Sequence, residues 1–260
     1  FYWGVGSGGF PGDFDVFGIN SESGEHRGMS QDSIELILDM WAKPEPGLYN
    51  HKHWNFNIPE PVPEIGLRVH MQPYQKPHPP IAVAGVSSRS ETLVYAGEKG
   101  WIPLSINLVP SATLNTHWEA IEEGAKKSGR IPDRGQWRIA REVHVAETAE
   151  QARQEVLEGT IGRDFRQYFI PLMAHMEALS LIKTNDDIPD EAIDPEYLIN
   201  NVWIVGSPDD VTEQIRELYK QVGGFGVLLA MGHEWDPRES GENSMKLLAN
   251  KVLPSLSDLN

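Results

Sequence analysis

The sequence predicts an α/β fold built on a parallel sheet with helical crossovers. Three observations carry that expectation. Strand-like and helix-like segments alternate along most of the chain. One run, Pro79-Pro80-Ile81-Ala82-Val83-Ala84-Gly85, is short and continuously apolar, as suits a strand buried on both faces. Several helical stretches open on residues that cap helices, Ser207-Pro208-Asp209-Asp210 most clearly.

Taken in order, residues 1–6 read as a strand. A helix follows over 32–43, where Ile34, Ile37, Leu38 and Trp41 share a face and Asp32 with Glu35 has the spacing of a cap. Segments 48–58 and 65–71 alternate like two arms of a hairpin. After the strand ending at Gly85, Ser88-Arg89-Ser90-Glu91 has capping-box spacing and opens a helix through Leu93, Val94 and Ala96 to Gly97. A strand over 101–108 precedes a helix with Leu114, Trp118, Ile121 and Ala125 on one face. Then come a strand over 138–146, helices over 149–157 and 160–182, and an acidic, proline-bearing excursion at 183–200, read as a solvated loop or a lid. The helix opened at Ser207 buries Val211, Ile215, Leu218 and Val222, and a strand over 226–231 and a helix over 244–256 close the chain.

Five buried strands, each followed by a helix, fit either an open doubly wound sheet or a (β/α)8 barrel. Five units fall short of a closed barrel, so the barrel reading places about three more ahead of Phe1. The start itself agrees with that expectation, because Phe1 is no Met and opens directly into an apolar, glycine-rich run.

Composition narrows the function classes. Among 260 residues, 22 Lys and Arg face 38 Asp and Glu, a formal net charge of −16 that disfavours nucleic-acid and anionic-membrane surfaces. There is no cysteine, which removes disulfides, thiolate metal sites and cysteine nucleophiles. No apolar run has the length of a membrane span, and a cytoplasmic location is expected. His51 and His53 share a strand face, but two ligands do not close a metal site, and no metal is expected.

Two loops attract attention as ligand contacts. Gly4-Val5-Gly6-Ser7-Gly8-Gly9 satisfies G-x-G-x-x-G, yet no helix is expected for some twenty residues after it. A dinucleotide fingerprint needs that helix, so the glycines read as backbone freedom or as room for a flat cofactor. Gly85-Val86-Ser87-Ser88 leaves a buried strand and enters a helix, where amides, two hydroxyls and Arg89 would suit a phosphate. Elsewhere, Arg141 lies mid-strand among apolar residues and is expected to pair with a core acid. His233 and Glu234 follow the last strand, and Trp54 and Trp235 are candidates to line an apolar pocket.

The stretch from Trp3 to Ile19, with its small-residue loop, acid, aromatic and Phe17-Gly18 turn, resembles the fourth-strand segment of the bacterial luciferase-like flavin monooxygenases. Gln75 to Ser87 is similar to that family's proline-led fifth strand and phosphate loop, and Trp101-Ile102-Pro103-Leu104-Ser105 to its sixth strand. Gly232-His233-Glu234-Trp235-Asp236 brings the likeness nearest to the limonene and alkane monooxygenase-like members. The resemblance implies one (β/α)8 TIM barrel domain over 1–260, this chain covering about the last five βα units. A hairpin near 48–71 and a helical, acidic insertion near 160–200 would decorate it.

It further implies reduced FMN, supplied by a separate flavin reductase, and O2 acting on an apolar small molecule such as a terpene, alkane or aldehyde. Deazaflavin F420 with hydride transfer is the alternative, and a non-catalytic flavin-binding or barrel-completing subunit a third. Gly6, Ser7 and Gly8 would lie beside the flavin, and Gly85, Val86, Ser87, Ser88 and Arg89 around its phosphate. Ser105 would border the ring or substrate pocket. Luciferases proper carry an arginine at the place of Ser7 and an acid at that of Gly85, so luminescence is not expected. A homodimer, or assembly with a preceding part of the barrel, is the expected state, and the catalytic residues are not assigned.

Overall fold

The structure, a computed structural model, describes residues 1–20, 22–43, 45–67, 72–234 and 236–259. It packs as two units, Phe1–Ala82 and Val83–Asn260.

The first unit opens with β1 (Trp3–Val5), whose Trp3 N–H donates to Pro80 O at 2.9 Å. The strand is shorter than expected and not buried, and Phe1 and Tyr2 are exposed. α1 (Pro11–Phe17) follows the glycine loop at once, which corrects the expectation of a long gap before the next helix. Its sequence, Pro-Gly-Asp-Phe-Asp-Val-Phe, has low helix propensity, but Pro11 sits in the first turn and Gly18 closes the end at φ 64°. α2 (Glu25–Ala42) begins a turn and more before Asp32, so Asp32 and Glu35 lie inside the helix rather than capping it. The hairpin is β2 (Gly47–Asn50) against β3 (Asn55–Ile58), with Tyr49 opposite Phe56 and their rings stacked at 5.2 Å. Both arms therefore fall within 48–58, give or take a residue, and the second arm expected over 65–71 is not one of them. Residues 68–71 of that expectation lie outside the described residues.

The second unit is an α/β layer. β4 (Ile81–Gly85) leads into α3 (Glu91–Lys99), then β5 (Ile102–Ser105), α4 (Ser111–Lys127) and β6 (Arg138–Val145). β6 pairs in parallel with β5 at Leu104↔Arg138 and with β8 (Val227–Met231) from Arg138↔Val227 to Glu142↔Met231. Its far end takes a further short parallel strand, β7 (Ile204–Gly206), too brief to stand out in the sequence. The last strand, expected to be buried, leaves Leu229 and Met231 38% and 40% exposed.

α9 (Pro208–Val222) shows how local sequence makes a helix here. Ser207 and Asp210 close a reciprocal capping box, Pro208 occupies the first turn, and Gly223 terminates at φ 73°. Its stripe of Val211, Ile215, Leu218 and Val222 packs with Leu114, Trp118 and Ile121 of α4 and Ile139, Val143 and Val145 of β6. Each such buried side chain contributes roughly 1.5–3 kcal/mol of transfer free energy.

Between β6 and β7 the chain forms α5 (Ala149–Glu158), α6 (Thr160–Asp164), a π turn over Phe165–Phe169, α7 (Ile170–His175) and α8 (Pro195–Asn201). Phe165, Met173, Leu179, Ile182, Ile193, Leu198 and Trp203 form a second core there. The excursion at 183–200 is thus anchored by buried Ile193 and Leu198 rather than solvated throughout. α10 (Arg238–Leu247), a π turn and α11 (Leu253–Ser255) complete the chain. Among the described residues, no helix is long and apolar enough to cross a membrane.

α3 does not stop at Gly97; Gly100 caps it at φ 72°. Gly97 is instead a contact residue, since a Cβ there would lie 2.2 Å from Ile121 O, and one on Gly124 would lie 1.8 Å from Val94 O. α3 and α4 therefore touch backbone to backbone, which sets how α4 sits beside β4 and β5. Gly124→Ala should destabilise by at least about 1–3 kcal/mol, because the clash is with backbone and cannot relax by rotation. Gly28→Ala in α2, where nothing lies within 4 Å, should be neutral or stabilising by up to about 1 kcal/mol. Urea unfolding of the two variants checks the contrast, and equal midpoints would refute it.

Candidate active site

The glycine loop of the first unit opens at the carboxyl end of β1. Gly6 leaves open space where a Cβ would stand, whereas Gly8, at φ 80°, has the Phe14 ring at 3.3 Å from that position. Gly6 and Ser7 line a cavity of about 470 Å³ with Phe14, His26 and Trp54, and Trp54 Nε1 donates to Ser33 Oγ at 2.8 Å. Trp235, the other candidate pocket residue, lies outside the described residues. His51 faces Asp32 at 3.6 Å.

In the second unit, Gly85 ends β4 and Val86, Ser87, Ser88 and Arg89 form the turn into α3. Gly85 is required by packing, since a Cβ would stand 2.4 Å from Leu93 Cδ1. The expected capping box does not form. The N-cap of α3 is Ser90, and no side chain caps that end. Ser90 Oγ is instead paired with Thr92 Oγ1, which donates to Ala84 O at 2.7 Å. Ser88 Oγ donates to Thr116 Oγ1 at 3.2 Å, and Arg89 N to the same oxygen at 3.0 Å. Arg89 takes a left-handed φ of 50° and faces Glu123 at 3.7 Å. Ser87, Ser88 and Arg89 are exposed, so the loop presents two hydroxyls, a guanidinium and an uncapped helix end to solvent.

Beneath this loop lies a residue that the sequence reading missed. His117 of α4 is fully buried, with Nε2 at 3.0 Å from Ser87 O and Nδ1 at 2.9 Å from Ser105 Oγ. A carbonyl only accepts, so Nε2 carries the hydrogen and Nδ1 is the acceptor. Ser105 then donates to Nδ1 and accepts from Trp137 Nε1 at 2.9 Å. Ser105 is wholly buried and its hydroxyl is spent in this chain. It does not border an open pocket as expected; it supports the Ser87 loop through His117. The signal was present, for His117 falls three residues after Leu114 and four before Ile121, on the apolar stripe of α4.

Arg141 departs from expectation too. It is buried, donates from one guanidinium nitrogen to Ala140 O at 2.9 Å, and pairs with no acid among the described residues. Burial lowers its pKa to about 10, with Glu142 opposing. The reason is alternation along β6, which sends Arg141 and Glu142 to opposite faces of the sheet. Glu142 is equally buried and accepts from Asn107 Nδ2 just beyond β5. Further along β6, His144 meets Glu155 at 2.7 Å, and Ser240 and Gln151 donate to the same carboxylate. Burial works to raise the Glu155 pKa, but these donors outweigh it and hold the carboxyl below its ordinary range.

His117 makes stability depend on pH. Burial, the main cause, lowers its pKa from 6.5 to about 4, so the unfolded chain binds a proton there that the folded chain does not. Its contribution is complete above pH 6.5 and is lost as pH falls towards about 4. The loss amounts to on the order of 3 kcal/mol. Urea midpoints should fall across that window and fall less in His117→Gln; identical slopes would refute the assignment.

Three comparisons bear on this architecture. The family model described as luciferase-like monooxygenase matches residues 1–224. The 3,6-diketocamphane 1,6-monooxygenase of Pseudomonas putida is 31% identical over 273 residues, covering 98% of this chain and 72% of that protein. Limonene 1,2-monooxygenase of Rhodococcus erythropolis is 30% identical over 187 residues, covering 72% of this chain and 46% of that enzyme. Among solved structures, the oxygenating constituent of the Pseudomonas putida 3,6-diketocamphane monooxygenase, in complex with FMN, superposes with a TM-score of 0.84. It is 30% identical and the match covers 97% of this chain and 70% of that one. The sheet, the crossovers and the order of the loops are those of the luciferase-like TIM barrel, and the chain belongs to the luciferase-like monooxygenase family.

Proposed function

We propose that this chain is the oxygenating component of a flavin-dependent monooxygenase that uses reduced FMN and O2 on an apolar small molecule. The observation that carries the reading is the β4–α3 loop. The Ser87 hydroxyl, the Arg89 guanidinium and the uncapped amides of α3 form a set of donors at one exposed turn, where Ser88 Oγ is turned to Thr116 and Arg89 also faces Glu123. Such donors, with a positive charge, suit a phosphate monoester. His117 and Thr116 hold the turn from below, so the donors are in place before a ligand arrives.

Bound reduced FMN would supply the electrons that activate oxygen. Taken by itself, the first unit has open space beside Gly6, with Ser7 lining the same cavity, and these residues stay candidate ligand contacts on the family resemblance. The apolar substrate class is supported by the diketocamphane and limonene names of the relatives, and by the exposed Leu229 and Met231 on β8. A separate flavin reductase is supported by the description of the diketocamphane relative as an oxygenating constituent. A homodimer in the cytoplasm remains part of the proposal on the family resemblance.

Anaerobic titration with reduced FMN, followed by absorbance and fluorescence, tests the assignment against riboflavin, which lacks the phosphate. Ser87→Ala and Arg89→Ala should each weaken FMN by about tenfold to a hundredfold, the worth of a charge-assisted hydrogen bond, and leave riboflavin unchanged. Equal losses for both ligands would refute the phosphate site, and turnover with reduced F420 alone would refute the monooxygenase.

A further inference from the structure

The β6–β8 register places Glu142 beside Met231 and Ala140 beside Leu229. Ala140, Leu229 and Met231 therefore flank a buried carboxylate on one face of the sheet, and Glu142 Oε2 has no hydrogen-bond partner among the described residues. Two residues beyond β8, His233 stands between that carboxylate and a second one. Its Nε2 lies 3.5 Å from Glu142 Oε1, and its Nδ1 lies 3.6 Å from Asp164 Oδ2 of α6. The ring is 12% exposed, has Phe165 at 6.2 Å, and lines a cavity of about 610 Å³ that also takes in Met231, Met245 and Ile161.

Each ring nitrogen faces an acceptor that has no hydrogen to give. Only the imidazolium carries N–H at both positions, so the arrangement selects the charged ring. The Glu142 hydrogen bond and charge, reinforced by Asp164, raise the His233 pKa against the opposing effect of burial. The other charged groups nearby do not reverse this. Arg163 is directed at Asp164, Glu234 and Asp236, at 3.3, 3.7 and 3.9 Å. His144 and Glu155, elsewhere on the cavity wall, are bonded to each other, and Arg141 lies on the opposite face of β6. The Nε2–Glu142 approach, at 3.5 Å, is long for a hydrogen bond and holds that N–H only weakly.

We propose that Asp164, His233 and Glu142 form a proton-donating triad, in which His233 delivers the Nε2 proton to an oxygen atom of an organic substrate lying against β6 and β8. One N–H bond breaks and one O–H bond forms, the ring is left neutral with its remaining hydrogen on Nδ1 facing Asp164, and solvent entering the cavity returns a proton to Nε2. The triad rests on the monooxygenase reading for its substrate but not for its protonation state, and the two are tested separately.

Histidine-labelled protein, without flavin, is titrated by NMR. His233 should titrate above 6.5, and both Glu142→Gln and Asp164→Asn should lower that midpoint. Asp164 is the more exposed partner, so Asp164→Asn serves if Glu142→Gln does not fold. In turnover with reduced FMN, kcat/KM should fall on the alkaline side where His233 deprotonates. That limb should move to lower pH in Asp164→Asn, and His233→Asn should lose about 10²–10⁴-fold. A His233 midpoint at or below 6.5 overturns the triad, as does a kinetic limb that stays in place when Asp164→Asn shifts the midpoint. Failure of the folded protein to bind reduced flavin at any pH overturns the monooxygenase reading, and with it the triad's role.

Discussion

The hydrogen-bond chain Trp137–Ser105–His117–Ser87 works only with a neutral imidazole, and the β4–α3 loop depends on that chain. A proton on Nδ1 would turn two donors on Ser105 Oγ and leave the serine hydrogen without its acceptor. Burial and connectivity therefore favour the same protonation state. The neighbouring Thr116 holds Ser88 and Arg89, so two consecutive residues of α4 fix three consecutive residues of the loop. Such control needs α4 to be rigidly placed. The backbone contacts at Gly97 and Gly124 do this, because no rotamer change can absorb a displacement there.

β6 carries the opposite problem, two buried charges in succession. Arg141 and Glu142 are adjacent in sequence yet point away from each other, so neither neutralises its neighbour by direct contact. Arg141 meets a backbone carbonyl and has its pKa lowered to about 10. Glu142 has Asn107 and, at longer range, His233. A buried carboxylate beside Ala140, Leu229 and Met231 costs stability, and an apolar residue of similar volume would pack there at less cost. Its presence is intelligible through what it does to His233.

Periodicity and local capping made the alternation of strands and most helices legible. Ser207 to Asp210 carries its whole cap within four residues, and the structure reproduces it. The errors fall where distant residues decide. Ser88 has cap spacing to Glu91, but Thr116, 28 residues away, takes its hydroxyl. Gly97 reads as a helix stop because glycine often ends helices, whereas here it admits a neighbouring backbone. Ser105 ends a strand at the functional end of the sheet, and nothing local announces that His117 and Trp137 enclose it. The β4–α3 loop, proposed above to hold a phosphate, was legible as a composition of polar groups; its support from α4 was not.

His117 and His233 show why a histidine in a sequence has no fixed meaning. Both are removed from most solvent, which by itself disfavours the charged ring. His117 faces a carbonyl and a hydroxyl, one group that only accepts and one that can donate, and this pair is satisfied by the neutral tautomer. His233 faces two carboxylates, which the neutral ring cannot satisfy at both nitrogens. Burial decides the first case and charge the second, so their pKa values move apart from one ordinary value. Within one layer of sheet and helices, the fold thus keeps one imidazole as a fixed strut and the other as a carrier of a proton.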